Sequence, residues 1–214
     1  MSIAVEHEKR KQEILEKALD VFVEEGYEDT TFQKIAERCG ITRTILYLYF
    51  KNKREIFSFS IKLFTARLEA DIRAIGSDPA LSQADKIARI VELAIGQCAQ
   101  NRRLLAVVLD YLGHLRTSGG DPDERVRRRT IRMRHIIAGL LIEGVHSGEF
   151  RPLSIKAADD LVYALVEATI FRMAVLGREE SGSLVESARL FAIGLRDPAW
   201  APAAGVKATT GGLA

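Results

Sequence analysis

The 214 residues, 47% of them apolar, carry a net charge of only +2 and a mean hydropathy of zero, consistent with a soluble globular protein of one large or two small domains. The opening MSIAVEHEKRKQE lacks the apolar core of a signal peptide, and the most apolar run, Leu161 to Gly177, is broken by Glu167 and Arg172, so a membrane partner is excluded and cytoplasmic residence expected. Cys39 and Cys98 are the only cysteines, which offers no disulfide framework and agrees with a reducing compartment.

Residues 1 to 7 are expected to fray. From about Glu8, the stripe Ile14, Leu15, Ala18, Leu19 and Phe22 defines a first helix that Gly26 ends. Phe32, Ile35, Ala36 and Cys39 then recur at helical spacing, with Thr31 placed to cap the start and Gly40 suited to the exit. Ile41 anchors a turn, and Thr42 can cap a second short helix running to about Tyr49. Helix, turn of about three or four residues, and helix make helix-turn-helix spacing. At about 100° per residue, Leu46 and Phe50 inward put Thr44 and Leu48 outward, with Arg43, Ile45 and Tyr47 on the flanks. Such an edge suits a major groove: Arg bonds guanine, hydroxyls bond bases or phosphates, and apolar groups touch the thymine methyl. Between Thr30 and Arg54 the basic residues Lys34, Arg38, Arg43, Lys51, Lys53 and Arg54 stand against Glu37 alone, while the acidic first helix masks this in the bulk charge. Asn52 and Glu55 have the spacing of a capping box, so a further helix begins near Lys53, and its amide end makes a phosphate clamp.

The run GYEDTTFQKIAERCGITRTILYLYFKNKREIF closely resembles the N-terminal domain of TetR-type regulators, whose pattern is a Gly-aromatic turn, Thr-Thr, Ile-Ala, a Gly turn, Leu-Tyr-x-Tyr/His-Phe and Lys-x-Lys. The resemblance covers about residues 8 to 60. It implies a recognition helix over Thr42 to Tyr49, with Arg43, Thr44 and Tyr47 as base readers, Tyr49 and Lys53 as phosphate contacts, and Gln33 as a further base reader. With the caps Thr31 and Thr42, these form the expected DNA-contact set. Two departures bear on which operator is read: Ile45 stands where the family often has a small or hydroxyl residue, and Leu48 where His or Trp is frequent.

Downstream, Phe57, Ile61, Phe64, Leu68, Ile72 and Ile75 recur at spacings of three and four up to the break at Gly76 to Pro79, a single rigid connector. A helix with Ile87, Ile90, Val91, Ala94, Ile95 and Cys98 follows, then one with Leu104, Val108, Tyr111, Leu112 and Leu115 up to the loop TSGGDPD. Asp123 to Ser147 makes a seventh helix. Its Arg125, Arg128, Arg129 and Arg132 share one face, read as solvated and paired with carboxylates rather than as an acidic-ligand site.

The eighth helix, about Ser154 to Leu176, is apolar nearly all round, which calls for burial on two sides. With the ninth it is expected to form a homodimer seam from Leu161, Leu165, Ala168, Leu184, Ala188, Phe191 and Leu195. Two heads about 34 to 36 Å apart can then read a palindrome. Tyr111, His114, Tyr163 and Glu167, polar groups on apolar helices, are candidates to line a small-molecule effector pocket; hydrogen-bonded core roles explain them about as well.

Catalytic and cofactor patterns are missing. Glu143 and His146 have Glu-x-x-His spacing, but a di-iron bundle needs two such pairs and further carboxylates. No phosphate loop, dinucleotide fingerprint or zinc cluster occurs, so no metal, cofactor or catalytic residue is assigned. The expected fold is all-α, about nine helices: a three-helix DNA-binding domain at 8–53, an effector and dimerisation domain at 54–197, and a tail at 198–214 without fixed structure. The favoured function is a ligand-responsive DNA-binding regulator on double-stranded DNA; the competing reading is an all-helical carrier or enzyme with no DNA role.

Overall fold

The computed structural model describes residues 3–117, 123–176, 182–202 and 205–207, with 3–4 and 123–130 described as backbone only. Nine α-helices account for nearly all of them: α1 Ile3–Asp29, α2 Phe32–Cys39, α3 Arg43–Tyr49, α4 Lys53–Gly76, α5 Gln83–Gln100, α6 Arg102–Thr117, α7 Asp123–His146, α8 Ile155–Ala174 and α9 Gly182–Gly194. The fold is all-α, as the apolar spacings require. No helix among the described residues is long and apolar enough to cross a membrane.

The chain divides into two compact units, residues 1–68 with 106–118 and residues 69–105 with 119–214. In the first, Ile14, Leu15, Ala18, Val21 and Phe22 of α1 meet Phe32, Ile35, Ala36 and Cys39 of α2, Leu46 of α3 and Phe50 at its end, and Ile56 and Phe57 of α4. Helix α1 begins earlier than the expected Glu8. No breaker stands before it, and the His7 ring stacks on Tyr49 at 4.7 Å, which gives the extra turns something to pack on. Gly26 breaks α1 with φ +81°, a conformation that side chains with a Cβ rarely adopt.

In the second unit, α5 packs on α7, α8 and α9 and buries Ile87, Ile90, Val91, Ala94, Ile95 and Cys98. Gly144 of α7 lies against Phe150, where an added Cβ would stand 2.1 Å from a ring carbon, so the turn can fold back only over glycine. Beside Phe150, the buried carboxylate of Glu149 accepts from the amides of Gln83 (2.7 Å) and Ala84 (2.9 Å) at the start of α5. Arg196 bridges this carboxylate (3.4 Å) to Asp85 (3.1 Å) and donates to the Ser82 hydroxyl (2.8 Å), so one buried cluster joins the α5 start, the α7–α8 turn and the α9 end. Segment 205–207 corrects an expectation. Instead of lacking fixed structure, Lys207 exchanges backbone hydrogen bonds with Ala80 and Ser82, filling groups that the turn before α5 leaves open.

Candidate nucleic-acid interface

Local chemistry sets α2 and α3. Thr31, extended at φ −119°, accepts from the Lys34 amide at 3.2 Å and starts α2. At its end Gly40 takes φ +69°; its amide reaches the Glu37 carbonyl and that of Ile41 reaches Ala36, both at 3.0 Å. This left-handed exit satisfies the last carbonyls and turns the chain within two residues. Thr42 then caps α3 by accepting from Ile45 at 3.3 Å. Leu46, fully buried, fixes the rotation of α3 about its axis, and Phe50 seals its end. Asn52 caps α4 through the Glu55 amide (2.9 Å), while the Glu55 carboxylate reaches back to the Lys51 amide (2.6 Å), one residue beyond the usual capping-box partner.

The outward edge of α3 follows from that rotation. Arg43, Thr44, Ile45, Tyr47 and Leu48 are all exposed. Tyr47 is ordered from below by stacking on Phe32 at 4.6 Å, and its hydroxyl accepts from the Arg43 guanidinium at 3.0 Å. Two of the expected base readers, Arg43 and Tyr47, therefore stand as a pre-set pair. Gln33, on the exposed side of α2, donates to Glu37 at 2.7 Å. Tyr49 is half-buried under His7. Thr31 and Thr42, both exposed, are held at the helix starts as caps.

Lys53 has a structural task. Its ammonium donates to the carbonyls of Tyr27 (2.7 Å) and Glu28 (2.9 Å) and lies 4.6 Å from the Tyr27 ring centroid, closing the end of α1. Desolvation there pushes its pKa below the ordinary lysine value, against the pull of Glu28 and Asp29. Lys34 and Arg38 are likewise engaged, by Glu25 at 2.7 Å and by Glu24, so α1 neutralises part of the basic run. Cys39 donates weakly to the Ile14 carbonyl at 3.9 Å, and burial pushes its thiol up; it is a small core residue.

The four residues expected around an effector fall in two different units. Tyr111 belongs to the first unit, wedged among Tyr27 (4.5 Å) and Phe57 (4.8 Å), with its hydroxyl accepting from Arg54 at 3.3 Å. His114, one turn on, faces Glu28 at 3.3 Å. Tyr163 and Glu167 lie in the second unit, Tyr163 under the Arg134 guanidinium at 5.5 Å and Glu167 in solvent. The aromatic wedge was hidden because Tyr111 meets residues more than fifty positions away. An open groove of about 550 Å³ in the second unit lies between α5, α9 and Lys207, lined by Arg89, Glu92, Arg189 and Ile193 among others, and none of the four takes part in it.

The expected seam also needs correction on α9. Leu184, Ala188 and Leu195 are buried inside the second unit, where α9 packs on α5 and α8, while Phe191 is half-buried. The outward face of α9 is Ser183, Ser187, Leu190 and Gly194 instead. On α8, Leu161 and Ala168 are exposed and Leu165 half-buried, so that helix is covered on one side only. Of the arginine run, Arg132 pairs with Glu69 at 3.5 Å; the side chains of Arg125, Arg128 and Arg129, and most of the loop TSGGDPD, lie outside the described residues. Among the described residues no group of three or more His, Cys, Asp or Glu could hold a metal ion.

Comparison with known proteins agrees with this geometry. Residues 14–58, the span of the capped helices, match the family model described as bacterial regulatory proteins, tetR family. The fatty acid metabolism regulator protein of Bacillus subtilis (strain 168) is 27% identical over 163 residues, covering 74% of this chain and 80% of that one. A TetR transcription regulator from Haloarcula marismortui ATCC 43049 has the same fold, with a TM-score of 0.78 at 15% identity over 89% of this chain and all of the other. The regulator FadR from Bacillus subtilis in complex with stearoyl-CoA superposes with a TM-score of 0.61 at 24% identity, covering 86% of this chain and 98% of that one. With its helix-turn-helix matched by the family model and most of its length by transcriptional regulators, the chain belongs to the TetR family of transcriptional regulators.

Proposed function

We propose that this regulator is a homodimeric repressor that binds a palindromic operator and is released by a small-molecule effector, with residues 8–53 contacting DNA and residues 54–197 holding the effector and the dimer seam. The observation that carries the reading is the outward edge of α3, where Arg43, Thr44, Ile45, Tyr47 and Leu48 stand in solvent on a helix whose rotation is fixed by Leu46. Such an edge has the width and chemistry of a major-groove reader. Tyr49 and the amide ends of α2 and α4 serve the phosphates.

Support for a second copy comes from α8. Leu161, Ala164, Ala168, Phe171 and Val175 recur every three or four residues on its exposed side, and Leu190 is exposed on α9. A contiguous apolar stripe of this length marks a protein contact. The seam we propose runs along that stripe, using Leu161, Leu165 and Ala168 but not the inward Leu184, Ala188 and Leu195. For the effector, the relatives named above make long-chain acyl-CoA thioesters the first ligands to try. Release then requires that the ligand prefer one arrangement of the protein over another, since equal affinity shifts nothing. α4 and α6 are the helices to carry the shift, each being continuous and each contributing residues to both units.

A mobility shift with duplex from the region flanking its own gene tests the reading. Binding should be steeply salt-dependent and far tighter to a full palindrome than to a half-site. Equal affinity for the two would overturn the dimeric operator. Stearoyl-CoA added to the complex should release the DNA; no change across a panel of acyl chain lengths would remove this effector class and leave the DNA reading standing.

A further inference from the structure

We propose that Leu48, with Ile45 beside it, recognises the C5-methyl groups of thymine, so that α3 reads its operator by hydrogen bonds on one flank and by methyl contact on the other. The inference rests on the DNA-binding reading and adds which base the apolar flank selects. Its starting point is an anomaly of burial. Leu48 is 75% exposed and Ile45 41%, although each lies within two residues of the fully buried Leu46 in a well-packed head. Fraying does not account for this: α3 is capped by Thr42 at its start, and at its end the Phe50 amide reaches the Leu46 carbonyl at 3.1 Å.

The 100° step of the helix sorts the outward residues. Ile45 and Leu48, three apart, share one flank; Arg43 and Tyr47, four apart, share the other; Thr44 lies between. On the second flank the Arg43 guanidinium bonds the Tyr47 hydroxyl at 3.0 Å, so polar groups lie beside the Tyr47 ring there. On the first there is nothing but aliphatic carbon. A base edge that meets it must present an apolar group or lose its hydrogen bonds to water unpaid. In the major groove guanine, adenine and cytosine present acceptors and donors, and thymine alone presents a methyl group. Two side chains are also too small a surface for a protein partner, which takes about 800 Å² on each side.

The test uses an operator recovered from a random duplex pool by the full-length wild-type chain. Each thymine is then replaced singly by uracil, which keeps the pairing and removes only the methyl group. At one or two positions in each half-site uracil should weaken wild-type binding about fourfold, the effect of burying one methyl-sized group. The Leu48→Ala protein should bind the thymine and uracil versions of those positions equally, while keeping the wild-type preference at the guanines that Arg43→Ala relaxes. Because Leu48 is exposed, its replacement should leave the melting temperature nearly unchanged; should it fail to fold, the wild-type uracil scan still decides. Uracil scanning that stays within twofold throughout overturns this inference and leaves DNA binding intact, as does a Leu48→Ala protein that retains the full thymine preference. A pool that yields no sequence overturns both.

Discussion

Local caps start helices in both units, Ser154 at α8 included, but in the second unit the start of α5 also draws on a remote partner. In the head the starts of α2, α3 and α4 are fixed by a neighbour in sequence: Thr31, Thr42 and Asn52 each accept from the amide three residues on. In the second unit α5 has a local cap of the same kind in Ser82, but its first two amides are taken by Glu149, 66 and 65 residues away, and Arg196 holds that carboxylate from the far end of α9. A local cap orders little extra chain and stabilises a helix modestly. A remote buried carboxylate makes three segments depend on one another. Three helix starts in the head are thus set within one turn of sequence, whereas that of α5 in the second unit also depends on a cluster drawn from three segments.

The sharpest way to break this contrast is Glu149→Ala. It removes a carboxylate 3% exposed and leaves Arg196, 12% exposed, with a buried charge only partly compensated by Asp85. The loss should be about 3 kcal/mol in denaturant unfolding. A loss no larger than that of a local cap would show that the cluster does not hold the unit together. Next comes Arg43→Ala, which leaves every cap in place and should cost about 2 kcal/mol of operator affinity, with relaxed preference at one guanine, at unchanged melting temperature. Thr42→Ala should lower stability by about 1 kcal/mol, with Thr42→Ser restoring most of it, since a serine hydroxyl caps as well. Calorimetry on the pair separates the cap from the methyl group.

A further effect appears in alkali. Burial, reinforced by Tyr111, pushes the Tyr27 phenol from 10.0 up to about 12, so its neutral form is favoured in the folded head. Its contribution is complete below pH 10 and is lost as pH rises from 10 to about 12, because only the unfolded chain releases the proton in that window. In the second unit burial pushes the Cys98 thiol from 9.0 up to about 11, with the same sign and an earlier onset. Stability measured through this range should fall less for Tyr27→Phe than for wild type. Parallel curves would mean that Tyr27 is not the group responsible.

Much of the head was legible because its determinants lie within one helical turn of one another. Thr31, Gly40, Thr42 and Asn52 announce caps and an exit, and the period of Phe32, Ile35, Ala36 and Cys39 fixes a buried face from which the outward position of Tyr47 and Leu48 follows. Lys53 misled for the opposite reason: its basic charge and its place at a helix start suggest phosphate, while its partners are carbonyls 25 and 26 residues earlier. α9 misled through symmetry of composition. Leu184, Ala188 and Leu195 on one side and Leu190 on another give a helix with apolar residues on more than one face, and periodicity cannot say which is turned to its own unit. Tyr111 was placed on the right helix with a pocket and a hydrogen-bonded core role both open, and the wedge it fills is built by Tyr27, Phe57 and Arg54.

By itself the sequence determined the helices, their ends and the face of α3 that meets solvent, because those depend on hydrogen bonds and apolar periods spanning three or four residues. Tertiary structure alone decided what long-range groups do: that Glu149 and Arg196 knit the second unit, that Lys53 closes α1, that Tyr111 serves the head, and that α8 presents Leu161, Phe171 and Val175 outward. A side chain's role at long range is set by which distant backbone or ring reaches it, and that is fixed only when the whole chain is packed.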